Sequence, residues 1–455
     1  MRLTKSLLKM HPATMVFASY VLAIACGTLL LKLPLSIRDG ILSWTDALFT
    51  ATSAVCVTGL VVVDTGSYFT LFGQFVILAM IQVGGLGVMT ISVAMFRGIG
   101  RIISFRQRMA MQDLFAHTPR EDILGLIKSI FLFTAAAELA GAVLLAFNWY
   151  AELGLAKALY MGFFHSISAF CNAGFALFSD SMMGYNDSLL LNAVLGLLIV
   201  TGGIGFPVLY DLQGWVSGPK RHRRLSVQTK TVLLMTLILI VGGAVMFALL
   251  EHRTWSASSS LSQRILVPLF QSITCRTAGF NTVDIGSLRE ATLAMMIFLM
   301  FFGASPGSCG GGVKTTTLAL LVTFTMTRIR KKQRVNIYKK TIPAETVSRA
   351  FSLVLVSIGI ICAVLFMLLI GDRSPASVPI APSHSFLAYL FETVSAFGTV
   401  GLSMGVTPEL GAWGKYWIIF MMIVGRVGVL TFAYIIVGTG TVEGIVHAEE
   451  NMMIG

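Results

Sequence analysis

Apolar residues run along this chain in blocks far longer than a soluble core element needs, and polar residues gather at the joints between them. A helix needs about 20 apolar residues to cross the hydrocarbon of a bilayer, and stretches of that length recur from one end of the sequence to the other. Three basic joints cut the chain into four blocks, roughly 11–100, 121–218, 230–332 and 346–440, with 441–455 as a C-terminal tail. At the centre of every block lies a helical pattern of only about ten to fourteen residues, too short to span. Each block therefore reads as a helix, a re-entrant loop and a second helix.

The four central segments repeat. They are FTATSAVCVTGL from Phe49, FHSISAFCNAGF from Phe164, FQSITCRTAGF from Phe270 and FETVSAFGTVGL from Phe391. Each carries Ser or Thr four residues after the Phe (Ser53, Ser168, Thr274, Ser395), then Gly59, Gly174, Gly279 or Gly401 followed by Leu or Phe. The Gly comes six residues after the Ser/Thr in three copies and five in the third, which predicts a different geometry for the third turn. Irregular backbone cannot face lipid, because unpaired N–H and C=O groups cost several kcal/mol each in hydrocarbon. It has to line a wet cavity or pack within protein. Four such turns around one axis would aim rings of carbonyl oxygens inward to replace an ion's hydration shell, with helix C-terminal ends favouring a cation. The expected fold is an all-α membrane protein with eight transmembrane helices in four pseudo-fourfold repeats around a central cation pore. The candidate filter comprises Val57, Thr58 and Gly59; Asn172, Ala173 and Gly174; Thr277, Ala278 and Gly279; and Thr399, Val400 and Gly401.

Composition agrees: 56% of residues are apolar and 12% are charged, too few charges for a soluble surface. The net charge of +12 would fit nucleic acid were it not for where it falls. Most Lys and Arg cluster at Arg2–Lys9, Arg97–Arg120, Lys220–Lys230 and Arg328–Lys340, always separated by an even number of spans. That is the positive-inside pattern, placing both termini and all three basic joints in the cytoplasm and leaving no charge for nucleic acid to explain. Six cysteines show no CxxC or Cys/His spacing, hence no metal or disulfide framework, and the seven His form no catalytic constellation. The basic N-terminus leads into an apolar run without a clear cleavage site, so the first span is read as retained. Asp64, Asp180, Asp284 and Glu409 each follow a turn Gly closely. Either they raise cation concentration at an outer vestibule or they cap turns.

Two features set the last two blocks apart. The apolar stretch from Ala291 to Thr327 would make a helix of about 55 Å against a core of about 30 Å, so it must break. Gly303, Ala304, Ser305, Pro306, Gly307, Ser308, Cys309, Gly310, Gly311 and Gly312 supply the breakers and form a candidate gating loop, on this reading the sole broken second helix. Val313 before Lys314 excludes a phosphate-binding loop, which requires Gly there. Arg426, in IVGRVGVLTF, is a cation inside an apolar span, costly by about 2.5 kcal/mol or more unless it meets water or a partner. It is read as a barrier to passing cations that also contacts the loop. Lys314 is read as snorkelling to the cytoplasm or staying with the loop. Asp211 and Glu138 are taken as helix-packing or interfacial groups, and His165 as a packing or capping residue.

The turns VCVTGL, FCNAGF, CRTAGF and FGTVGL, with GASPGSCGGGVKTTT and GRVGVLTFAY, resemble the Trk/Ktr/HKT superfamily of potassium transporters over almost the whole chain. VTGLVVVDTGSYFTLFGQ and QVGGLG resemble its KtrB-type membrane subunits. The resemblance implies potassium held by filter carbonyls, a homodimer with one pore per chain, the gating loop and central Arg426. It also implies a cytoplasmic ring of nucleotide-binding KtrA-type regulatory subunits, so that nucleotide binds the partner and this chain holds no cofactor, and stimulation by sodium as an activator. In the plant branch a Ser in place of the first filter Gly goes with sodium preference, so Gly59 argues for potassium; a sodium-permeable pore is the alternative. Cys56, Cys171 and Cys309 depart from the family pattern and are read as small packing residues, with thiol sensitivity as a second reading. A coupled transporter would use inverted repeats and midplane carboxylates, whereas these repeats share one orientation and their acids are read as lying outside the spans.

Overall fold

A computed structural model of the chain describes residues 12–87, 123–217, 225–255, 260–371, 385–429 and 431–432. The first two basic clusters, most of the third, the tail 441–455 and the block edges at 88–100, 121–122, 218 and 433–440 lie outside the described residues.

The first block contains α1 (Pro12–Leu31), a short α2 (Trp44–Val55) and α3 (Leu71–Leu86). The second contains α4 (Ile123–Leu153), a short α5 (Leu155–Phe170), α6 (Leu189–Ile204) and α7 (Phe206–Ser217). The third contains α8 (Val227–Trp255), a short α9 (Leu261–Thr274), α10 (Glu290–Phe301) and α11 (Thr315–Ile329). The fourth contains α12 (Ala344–Gly371), a short α13 (Phe386–Gly398) and α14 (Ala412–Val427).

The opening helices α1, α4, α8 and α12 are each long and apolar enough to cross a bilayer. Their outer faces carry exposed apolar side chains, with Leu22, Phe147, Leu249 and Leu355 at 66%, 77%, 66% and 69% exposure, whereas Thr28, Thr134, Glu138 and Thr236 point inward and are buried. Such an inverted arrangement requires lipid as the outer solvent. The short helices have 12, 16, 14 and 13 residues, at most about 24 Å of length. Ser43, Ser260 and Ser385 start three of them by accepting backbone N–H bonds from Asp46, Gln263 and Ala388, and Gln263 completes a capping box. The Phe that opens each repeated segment, Phe49, Phe164, Phe270 or Phe391, is at most 2% exposed and packs its helix into the interior. Dispersion contacts of this kind hold helices together where lipid removes the hydrophobic driving force.

Packing between blocks runs in one direction. The helix after each turn lies against the short helix of the next block: α3 on α5, α6 on α9, α10 on α13, and α14 back on α2. Chain order is thus spatial order, and the cycle closes.

Breaks in the second helices are not confined to the third block, contrary to the sequence expectation. A G-x-x-G pattern ends the helix in the other three: Gly84 to Gly87, Gly202 to Gly205 and Gly425 to Gly428. The last glycine of each takes a positive φ of 84°, 95° or 94°. In block two the chain bends by 98° there, from α6 into α7. A Cβ on the first glycine of each pattern would fall within 3.0 Å of the carbonyl of Val55, Phe170 or Phe397, respectively, beside the end of the block's own short helix. The third block replaces this compact break with residues 302–314. On its far side, the antiparallel strands β1 (Asn336–Ile337) and β2 (Lys340–Thr341) form a hairpin. Tyr338 and Lys339 both have positive φ, as a two-residue hairpin turn demands, and the exposed Arg334, Lys339 and Lys340 make it a basic knob.

Gly84→Ala, Gly202→Ala and Gly425→Ala are each expected to destabilise the fold by about 1–3 kcal/mol or more, the cost of overpacking. Gly359→Ala, with open space beside it, is expected to leave stability unchanged. Thermal unfolding of the detergent-solubilised protein, followed by size-exclusion chromatography, checks both.

A candidate ion site of four glycine turns above a buried loop

Each short helix delivers its chain into a turn of the same form. Val57, Asn172, Thr277 and Thr399 have φ of 56°, 59°, 82° and 49°, and two residues later Gly59, Gly174, Gly279 and Gly401 have φ of 89°, 70°, 82° and 90°. The residue between them turns its N–H back to the helix. Thr58, Ala173 and Val400 donate to Ser53 O, Ser168 O and Ser395 O at 2.8, 2.7 and 2.8 Å, and Ala278 donates to Thr274 O at 2.9 Å. The carbonyls of these four residues meet the turn of the neighbouring block: Ala173 O faces Gly59, Ala278 O faces Gly174, Val400 O faces Gly279 and Thr58 O faces Gly401. A Cβ on any of the four glycines would come within 3.0 Å of the facing oxygen. The turns therefore form one closed ring of backbone, with no room for a side chain.

The repeated Ser/Thr explains itself here. Ser53 Oγ and Ser395 Oγ accept the N–H of Gly59 and Gly401, both at 3.1 Å. Ser168 Oγ and Thr274 Oγ1 donate to Phe175 O and Phe280 O at 2.7 and 2.6 Å. Each hydroxyl staples the helix end to the outgoing strand. The missing residue of the third copy does not alter its turn, contrary to expectation. The deficit is absorbed before Thr277, where the staple bond spans four residues in place of five, so Thr277 and Gly279 keep the register of the other copies.

Side chains of the left-handed residues point toward the helix breaks. Val57 lies beside Gly84, Asn172 beside Gly202 and Gly203, and Thr277 beside Gly303 and Gly310. The Asn172 amide and Thr277 hydroxyl are 3.1 Å apart, and Thr399 Oγ1 accepts the N–H of Gly311 at 2.8 Å. The third and fourth turns thus sit directly on residues 302–314, which are fastened to the second and fourth blocks by backbone bonds and to the first through Arg426. Ser305 N and Cys309 N donate to Gly203 O and Gly202 O at 3.1 and 3.2 Å, Phe206 N donates to Gly307 O at 2.9 Å, and Gly312 N donates to Gly425 O at 3.3 Å. Thr315 N donates to Ala304 O at 3.1 Å. Pro306 O abuts Gly205. Ser308 N closes a turn on Ser305 O.

Arg426 completes the fastening. Its guanidinium donates to Cys309 O in the loop and to Gly84 O at the end of α3, so one cation joins the fourth block, the loop and the first block. Lys314 does not snorkel outward; its ammonium curls back onto Gly310 O at 2.8 Å and Gly311 O at 3.3 Å.

The remaining sequence candidates occupy supporting roles. Asp64 caps the turn Thr65–Tyr68 by accepting from Ser67 N at 2.7 Å, and Asp284 accepts from Gly286 N at 3.1 Å. Asp180 and Glu409 are exposed. Asp211 accepts from Ser226 N and Thr229 Oγ1 at 3.0 and 2.6 Å, holding the start of α8. Glu138 accepts from Gln82 at 3.2 Å. Cys56, Cys171 and Cys309 are fully buried. Among the described residues no cluster of His, Cys, Asp or Glu is placed to hold a metal.

A ring of backbone carbonyls over a fastened loop, inside lipid-facing helices, is the architecture of a membrane protein. A family model described as a cation transport protein, TrkH, matches residues 8–438, and the chain belongs to that family. It is 39% identical over 425 residues to the Ktr system potassium uptake protein B of Bacillus subtilis, covering 93% of this chain and 92% of that one. The like-named protein of Vibrio alginolyticus is 40% identical, over 92% and 90% of the two chains. The potassium/sodium uptake protein NtpJ of Enterococcus hirae is 34% identical over 98% of each. Among solved structures, the potassium transporter TrkH of Vibrio parahaemolyticus superposes with a TM-score of 0.73 at 20% identity, covering 94% of this chain and 84% of that one.

Ser168→Ala and Thr274→Val are expected to lower stability by about 1–3 kcal/mol, the cost of leaving a buried partner unpaired, while Thr274→Ser keeps the staple and the stability. Thermal unfolding in detergent separates the outcomes.

Proposed function

We propose that the chain takes up potassium across the cell membrane through a pore on the axis of the glycine ring. The observation that carries this reading is the cyclic approach of Thr58 O, Ala173 O, Ala278 O and Val400 O to the glycines of neighbouring blocks. Such oxygens replace the hydration shell of a monovalent cation. In this reading the four blocks are repeats, each giving two of eight membrane helices and one filter segment, and both termini face the cytoplasm. The potassium uptake named for the relatives at 39% and 40% identity supports the choice of ion.

The loop Gly303 to Gly312 is the gate. It sits against Thr277 and Thr399 of the filter turns, and Arg426 and Lys314 hold its carbonyls with two positive charges that a passing cation would meet. Exposed Asp180 and Glu409 fit an outer vestibule; Asp64 and Asp284 contribute charge there while capping their turns. The chain works as a homodimer on a cytoplasmic ring of nucleotide-binding regulatory subunits, for which the basic hairpin at 334–340 offers a contact; a relative named as part of a Ktr system fits a multisubunit assembly. The 34% relative named for potassium and sodium uptake favours a second reading, a pore that also passes or is stimulated by sodium.

Expression in a potassium-uptake-deficient bacterium, with and without a coexpressed regulatory subunit, is expected to restore growth at low potassium; no rescue despite membrane insertion would refute the function. Deleting Ala304 to Gly311, or replacing Arg426 with Gln, is expected to accelerate potassium flux several-fold in the absence of the regulatory subunit, and unaltered flux would remove the gate from the account.

A further inference from the structure

The residue directly after each opening Phe is polar and lies behind the glycine ring: Thr50, His165, Gln271 and Glu392. All four are at most 3% exposed, and the uptake mechanism above makes no use of them. Three grip the outgoing strand at the same distance past the ring. His165 Nε2 accepts the N–H of Leu177 at 3.2 Å, which leaves its Nδ1 as donor to Met161 O at 2.8 Å. Gln271 Nε2 donates to Thr282 Oγ1 at 3.2 Å. Glu392 Oε1 accepts the N–H of Met404 at 3.1 Å and the hydroxyl of Ser403, and its Oε2 accepts from Thr407 Oγ1 at 2.8 Å. Leu177, Thr282 and Met404 are each the third residue after the turn glycine. The fourth position breaks the pattern. Thr50 Oγ1 is buried without a hydrogen-bond partner. The first block's exit is held further out, where Gln74 Nε2 donates to Thr65 O, Gly66 O and Phe69 O and Gln74 Oε1 accepts from Tyr160.

We propose that His165, Gln271 and Glu392 are positioning residues that set the width of the carbonyl ring and hence its discrimination between cations, with the first segment, held only further out by Gln74, as its compliant quarter. A ring selects by holding its oxygens at the spacing of one ion against collapse onto a smaller one. The Ser/Thr staples fix the turn and the first residue past its glycine, and these three side chains fix the exit two residues further on.

The inference rests on the carbonyl-filter reading, and the test keeps the two apart. Uptake of potassium and of sodium by the full chain is measured in the same potassium-uptake-deficient cells, as a ratio independent of how much protein reaches the membrane. His165→Ala, Gln271→Ala and Glu392→Ala are expected to lower the potassium-to-sodium ratio about tenfold, equivalent to about 1.4 kcal/mol. Glu392→Gln, whose amide oxygen still accepts from Met404, is expected to keep it within about threefold, and Thr50→Val to leave it unchanged. Should the alanine variants leave no folded protein, His165→Leu and Gln271→Leu fill the same volume without the bonds. An unchanged ratio in the braced variants, or an equal fall in Thr50→Val, overturns the proposal. If Gly401→Ala also leaves the ratio unchanged, the filter reading itself fails; if Gly401→Ala alters it and the braced variants do not, only this inference fails.

Discussion

Everything in this structure follows from one constraint: backbone polar groups at membrane depth must find partners without water. Each short helix ends inside the protein, and its last carbonyls and following N–H groups need somewhere to go. The chain meets the need by turning through two left-handed residues, bonding one N–H back to the helix and one hydroxyl across to the exit. The carbonyl of the residue before each turn glycine is left facing the glycine of the neighbouring block. The ring of oxygens closes only because glycine leaves room for the next block. The direction of helix packing, each second helix against the next short helix, is the larger-scale form of the same closure.

The loop beneath the ring obeys the same rule by a different route. Residues 303–313 lie without helical bonding at the centre of the fold, and Ser305, Cys309 and Gly312 donate to the carbonyls that the G-x-x-G breaks of the second and fourth blocks release. The broken helices therefore supply acceptors for the loop as well as clearance for the short helices. Arg426 occupies the position that Gly85 and Gly203 hold in the first two patterns, and its forked donors reach Cys309 O and Gly84 O. A buried cation with several donors suits a place where carbonyls of separate segments converge. The arginine is thereby the link between the loop and the first block.

Much of this was legible in the residues. The four Phe-to-Gly segments stand out because turn chemistry demands glycine and small hydroxyls at fixed spacing, and the loop stands out because no helix tolerates five glycines and a proline. The G-x-x-G breaks were missed although QVGG, VTGG and IVGR are visible once aligned, because glycine in an apolar helix reads equally well as a packing residue. Counting from Thr274 suggested an altered third turn; counting backward from Gly279 would have shown the register preserved, since the closed ring fixes the glycines and leaves the helix end free to shorten. Lys314 was ambiguous because its side chain has the length to reach either water or the loop carbonyls. The pairing of Phe with a polar neighbour in every copy is hard to read from sequence because Thr, His, Gln and Glu share little chemistry beyond a polar side chain.

The central claim is that the four turns bind a dehydrated monovalent cation on their common axis. Anomalous scattering from the purified protein crystallised in rubidium or thallium, ions that stand in for potassium, measures this directly. The account places a peak on the axis, within coordination distance of the carbonyls of Thr58, Ala173, Ala278 and Val400. Well-ordered turns with no anomalous peak at their centre, or a peak held instead by side-chain carboxylates elsewhere, would contradict it.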